Sequence, residues 1–177
     1  MRYYLSALLP EPLAQKLAVI KRRWLGEIAS PPHLTLLPPR SLAPERSESE
    51  LVGILSKDLS AVAAFPVVMT RLGSFRRMSN IHIRVERTPA LVSCHQTIAL
   101  AVQGILLPAE GDFGHLPSPH ISLARGKDAW RALRGEDFAD RFLCQTVHLW
   151  GKENTGERWR QIGVFHLHRN KDGQSPA

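Results

Sequence analysis

Leu13, Leu17, Ile20 and Trp24 recur at helical spacing, so one apolar stripe predicts a helix from Leu13 to Leu25, opened by Glu11-Pro12 and ended at Gly26. Lys16, Lys21, Arg22 and Arg23 fall off that stripe and read as a solvated helix face. Leu51, Ile54, Leu55 and Leu59 predict a second helix between Pro44 and Val62. A third runs from Thr88-Pro89 to Leu106, with His95 packing on its surface. Elsewhere the period is two. Tyr3 to Leu9 opens the chain as a strand, and Phe65 to Leu72 and Asn80 to Glu86 form two more around a turn at residues 73–79. In the last of these Ile81, Ile83 and Val85 alternate with His82, Arg84 and Glu86, as in a half-buried strand. A short helix from Asp128 to Arg134 and two strands, Phe142 to Trp150 and Arg158 to His168, complete a single domain over residues 1–169. Residues 170–177 read as a disordered tail.

Two further strands share one pattern. Pro32-His33-Leu34-Thr35-Leu36 and Pro119-His120-Ile121-Ser122-Leu123 both read proline, histidine, aliphatic, hydroxyl, leucine, and they lie about half the chain apart. On a strand, alternate side chains share a face, so each motif sets one imidazole beside one hydroxyl with its aliphatic residues buried behind. The flanking prolines, Pro31-Pro32 before the first strand and Pro38-Pro39 after it, pin its ends. Two such pairs facing one another suit in-line displacement at phosphorus. One histidine takes a proton from the attacking oxygen, and the other gives one to the leaving oxygen. The hydroxyls donate to the non-bridging oxygens. Nothing in that scheme calls for a metal or another cofactor.

Composition narrows the partner. With 23 basic and 16 acidic residues the net charge is +7, which favours anionic ligands such as RNA or nucleotides. Cys94 and Cys144 have no metal-ligand spacing and read as reduced core residues of a cytoplasmic protein. The apolar run at Leu5 to Leu9 is too short for a signal peptide or a membrane span. His148 with Trp150, and His166 with His168, sit two apart on strands, but no carboxylate or cysteine joins them, so they read as surface or edge residues.

The pattern of His33, Thr35, His120 and Ser122 resembles the two-histidine phosphoesterases, the superfamily of bacterial 2′,5′ RNA ligase-like proteins and cyclic nucleotide phosphodiesterases. The resemblance extends from Tyr3 to about Leu167. It implies an α+β fold of two pseudo-symmetric lobes, each an antiparallel sheet with helices on its outer face, around a central cleft. The implied activity is a 2′,3′-cyclic phosphodiesterase or 2′,5′ ligase on RNA ends or nucleotides, with no membrane and no protein partner. His33 and His120 would be catalytic, and Thr35 and Ser122 would hold the phosphate. Arg125, just beyond the second motif where the family commonly has a basic residue, would add charge. Phe75, following Gly73-Ser74, resembles a position where the family can flank a base; core packing is the alternative. His82 and Arg84 either reach the substrate or line a solvated face, and His115 lies in the loop before the second motif without a catalytic role. The competing readings are a module that captures the phosphate without turnover and an inactive, basic protein-interaction domain.

Overall fold

The structure, a computed structural model, describes residues 1–26, 30–75, 78–108, 118–154 and 157–168. His115 and the tail from residue 169 lie outside the described residues. The chain runs β1 (Arg2–Leu8), α1 (Leu13–Leu25), β2 (His33–Ser41), α2 (Glu48–Leu59), β3 (Phe65–Phe75), β4 (Asn80–Val85), α3 (Pro89–Ala101) and β5 (His120–Ala124). It then continues through α4 (Lys127–Leu133), β6 (Asp140–Cys144), β7 (Thr146–Lys152) and β8 (Arg160–His166). Among these residues no helix is long and apolar enough to cross a membrane.

The strands form one antiparallel sheet in the order β6-β3-β4-β5-β2-β1-β7-β8. It divides into two four-stranded halves whose adjoining strands are the two motif strands, where Leu34 pairs with Ile121. Each half contains the same unit of strand, helix and motif strand, β1-α1-β2 in one and β4-α3-β5 in the other. The expected two lobes are therefore halves of a continuous sheet.

Behind the sheet lies a single core. Leu34, Leu36, Ile121 and Leu123 from the motifs join Leu17 of α1, Leu51 and Leu55 of α2, and Leu91, Cys94 and Ile98 of α3. Each half's helix reaches the other half's motif strand: α1 packs on β5, and α3 packs on β2. The His95 ring is buried in that second contact and hydrogen-bonds through Nδ1 to the Leu36 carbonyl at 2.8 Å, so it is not on the helix surface as expected. Local signals start the helices where the core needs them. Ser47 caps α2 by accepting from the Glu50 amide, and Thr88 caps α3 ahead of Pro89.

Several boundaries differ from the sequence reading. Pro38-Pro39 does not close β2, which runs on to Ser41; the register against β1 slips there, and such irregularities tolerate residues without an amide proton. The strand expected from Phe142 to Trp150 breaks at Gln145 into β6 and β7, which pair with opposite halves, on β3 and β1. β3 continues through Phe75, leaving a shorter turn than expected, and α3 ends at Ala101.

Candidate active site

The alternation along both motifs is realised side by side. His33 and Thr35, and His120 and Ser122, are half-buried, while Leu34, Leu36, Ile121 and Leu123 between them are fully buried. The antiparallel pairing of Leu34 with Ile121 sets the two His-x-hydroxyl faces on the same side, each running toward the other's histidine. All four side chains thus share one floor at the junction of the halves.

The two histidines are held by the same device. His33 Nδ1 donates to the Pro31 carbonyl at 2.7 Å, and His120 Nδ1 donates to the Ser118 carbonyl at 2.9 Å. A carbonyl can only accept, so Nδ1 carries the proton and Nε2 of the neutral ring keeps its lone pair. In both cases the carbonyl lies two residues back, across a proline that fixes the backbone. Burial first, then the charges of Lys21 and His120, outweigh the bond to Pro31 and bring the His33 pKa down to about 4, so His33 is neutral at neutral pH.

The neighbours break the symmetry. On β1, Ser6 lies beside Thr35 and Leu8 beside His33; on β4, His82 lies beside Ser122 and Arg84 beside His120. His82 is only 2% exposed, so it neither lies on a solvated face nor has room to reach far into the cleft. Its ring stacks on Phe75 at 4.1 Å and meets His120 edge to face at 5.0 Å. Phe75 is 37% exposed and also stands edge-on to His120 at 5.0 Å, so it walls the site and is not core. Burial first, then the charge of His120, pushes the His82 pKa down to about 4. Arg84 is exposed on the same face. Arg125 is exposed just after β5 ends, outside its alternation.

Several neighbours escaped the sequence reading. Asn80 Nδ2 donates to Ser122 Oγ at 3.1 Å, which leaves the hydroxyl proton of Ser122 for a ligand. Lys21, expected on a solvated face, is buried, and its ammonium donates to the Ser30 carbonyl at 3.4 Å beside His33. Tyr4 packs against His33 with ring centres 5.5 Å apart. His148, expected at an edge, is buried; it donates from Nδ1 to Gln161 and accepts from the Thr146 hydroxyl. His166 and His168 are exposed, and the described residues contain no group of three or more histidine, cysteine or acidic side chains that could hold a metal.

The family model described as the 2′-5′ RNA ligase superfamily matches residues 10–156. The structure is similar to TT0787 of Thermus thermophilus, with a TM-score of 0.67 at 19% identity over 94% of this chain and 98% of that one. It is also similar to Escherichia coli LigT complexed with phosphate, with a TM-score of 0.65 at 16% identity over 94% and 96% of the two chains. The complex of LigT with 3′-AMP gives 0.62 at 18% identity over 94% and 97%. At these identities the likeness establishes the fold. No curated protein matches the sequence.

Proposed function

Because the chain belongs to the 2′-5′ RNA ligase superfamily, a family of phosphoesterases, we propose that it is a metal-independent phosphoesterase that opens 2′,3′-cyclic phosphates on RNA ends or nucleotides. The observation that carries this reading is the matched pair of histidines, each anchored through Nδ1 to the carbonyl two residues back, with Nε2 left to the shared floor.

His33, held neutral, takes the proton of the attacking water through Nε2. As the new P–O bond forms, the bond to the ribose 2′ or 3′ oxygen breaks, and protonated His120 gives that oxygen its proton. Negative charge on the substrate raises the proton affinity of His33 when it is needed. Thr35 and Ser122 donate to the non-bridging oxygens, and Arg84 and Arg125 supply charge at the rim. Phe75 offers a face to a base. The same groups run in reverse would join a 5′ hydroxyl to a cyclic phosphate through a 2′,5′ linkage. That LigT has been crystallised with phosphate and with 3′-AMP fits this substrate class. The two buried free thiols suit a reducing cytoplasm.

The test is turnover of the four nucleoside 2′,3′-cyclic monophosphates, and of a short RNA with a cyclic end, in excess EDTA. The expected result is turnover by the wild type and a loss of about 100-fold or more in each of His33→Ala and His120→Ala. Wild-type rates in either variant would refute the mechanism. Tight binding without product would instead mark a capture module.

A further inference from the structure

A row of residues leads from His120 to the outer edge of its half of the sheet. Arg84 lies beside His120 on β4, and Thr70 and Arg71 together oppose Arg84 on β3, because Met69 pairs with Val85 and Leu72 with Ile83. Such a bulge sets two residues against one and re-aims a side chain. Here both residues are exposed, and Thr70 Oγ1 donates to the Arg84 carbonyl at 3.2 Å. Among the described residues neither Arg71 nor Arg84 pairs with a carboxylate. β6 reaches no further along β3 than Met69, so no strand among the described residues pairs with the outer edge from Thr70 to Phe75. Beside that edge lies a cavity of about 600 Å³, lined by Arg71, Trp130 and Phe138 and by the exposed Arg134, Glu136 and Asp137. The other half has no such row of cations. Leu8 lies beside His33, and outward from Thr35 come Ser6, His148 and Val164.

An RNA strand with a cyclic end has to leave the floor on one side. The leaving oxygen of a 2′,3′-cyclic phosphate belongs to the terminal ribose, and the rest of the strand hangs from the same ribose through its O5′. With His33 serving the water and His120 the leaving oxygen, the ribose and its strand lie on the His120 side. We propose that the strand runs outward along this row, its nearest upstream phosphates on Arg84 and Arg71, and that the cavity at the edge of β3 takes an upstream base against Trp130. Two strand spacings, about 10 Å, separate His120 from β3. Two or three nucleotides, at about 3.4 Å or more apiece, span that distance. Glu136 and Asp137 repel a phosphate but accept from the amino group of a base, which suits a base in the cavity and phosphates on the arginines. The preferred substrate is then the cyclic end of a strand of about three nucleotides or more, ahead of a free cyclic nucleotide. The direction of the path rests on the two-histidine reading above; the affinity for a strand whose end is already opened is measured without turnover.

The experiment is calorimetry of adenosine trinucleotides with the terminal phosphate at 2′ or 3′, and of the matching mononucleotides, beside turnover of the corresponding cyclic ends. The proteins are the wild type, Arg71→Ala and, as a control, Lys152→Ala, which removes a cation of the other half that lies against Trp159. The wild type should bind the trinucleotide about tenfold or more tighter than the mononucleotide. Arg71→Ala should weaken the trinucleotide several-fold and reduce the slope of log K against log salt by about 0.7, the share of one phosphate on a single strand. Mononucleotide binding and cyclic-mononucleotide turnover should stay unchanged in Arg71→Ala, and Lys152→Ala should bind both ligands as the wild type does. An abasic residue at the 5′ end, which keeps the phosphates, should cost about tenfold. A trinucleotide bound no tighter than the mononucleotide, or unaffected by Arg71→Ala, would overturn the path and leave the open edge of β3 to a protein strand. An equal loss in Lys152→Ala would reduce the effect to overall charge and overturn it as well, and an abasic strand bound at full affinity would overturn the assignment of the cavity. Arg71-dependent binding without turnover of any cyclic end would keep the path and remove the catalytic reading.

Discussion

Gly73→Ala should damage the site without touching a substrate. Gly73 lies opposite His82 on β3, and a Cβ there would fall 2.8 Å from His82 Nε2 and 2.7 Å from Arg84 Nε. Ordinary contact begins near 3.4 Å, so each group must retreat by about 0.6 Å. Arg84 is exposed and swings away cheaply. His82 has no such freedom, because it is buried between Phe75 and His120, and its displacement is passed to the His120 ring. Overpacking of this kind costs about 1–3 kcal/mol of stability. A shift of half an ångström or more in a proton donor costs about tenfold to a hundredfold in kcat. Urea denaturation and cyclic-phosphate turnover measure the two effects. Repeating the substitution in a His82→Ala background removes the imidazole that the methyl meets, so the stability cost should shrink to a few tenths of a kcal/mol. Equal costs in both backgrounds, or a fully stable and active Gly73→Ala, would refute the proposed link from Gly73 through His82 to His120.

His95→Ala should cost about 1–3 kcal/mol, because the Leu36 carbonyl loses its partner inside the contact of α3 with β2, and thermal denaturation would show it. His33 and His82 have folded pKa values near 4, below the usual histidine value of 6.5, so between those limits the unfolded chain binds more protons. Stability is therefore complete above about pH 6.5 and falls as the pH drops toward 4; His82→Gln should lose less between pH 7 and 4.5 than the wild type does, as read from urea midpoints. Lys21→Met removes a charge that lowers the His33 pKa, so the acid limb of kcat/KM should move to higher pH; an unmoved limb would separate Lys21 from His33.

What could be read in the sequence was what depends on local periodicity. The strand period put His33 with Thr35 and His120 with Ser122 on one face, and the buried Leu34 and Ile121 between them are the pair that joins the halves. The helical period located α1 to the residue. What could not be read depends on which elements become neighbours. Lys21 flanks the apolar stripe of α1 one turn after Leu17 and is buried with it, while Lys16, Arg22 and Arg23 stay exposed as a polar face should. His82 and His148 alternate as polar residues should, but Phe75 stacks on the first, and Trp150 and Gln161 lie against the second. Gln145 carries no turn signal; the chain breaks there because β6 and β7 serve opposite halves.

The two motifs are nearly interchangeable, whereas the reaction needs one group to receive a proton and another to give one. The identical Nδ1 anchors cannot supply that difference, so the neighbouring strands must. β1 offers Ser6 and Leu8 where β4 offers His82 and Arg84, and buried Lys21 stands behind His33 alone. On this account His33 is the base because burial and Lys21 keep its lone pair available. His120, the histidine of the half that Arg84 and Phe75 border, is then the one left to serve the leaving oxygen. Exchanging the second-strand residues, with Ser6→His and His82→Ser in one chain, should then weaken this assignment more than it weakens phosphate binding, since Thr35 and Ser122 remain. A pH profile of kcat/KM unmoved by the exchange would mean that the direction of proton transfer is set by the substrate and not by the two halves of the sheet.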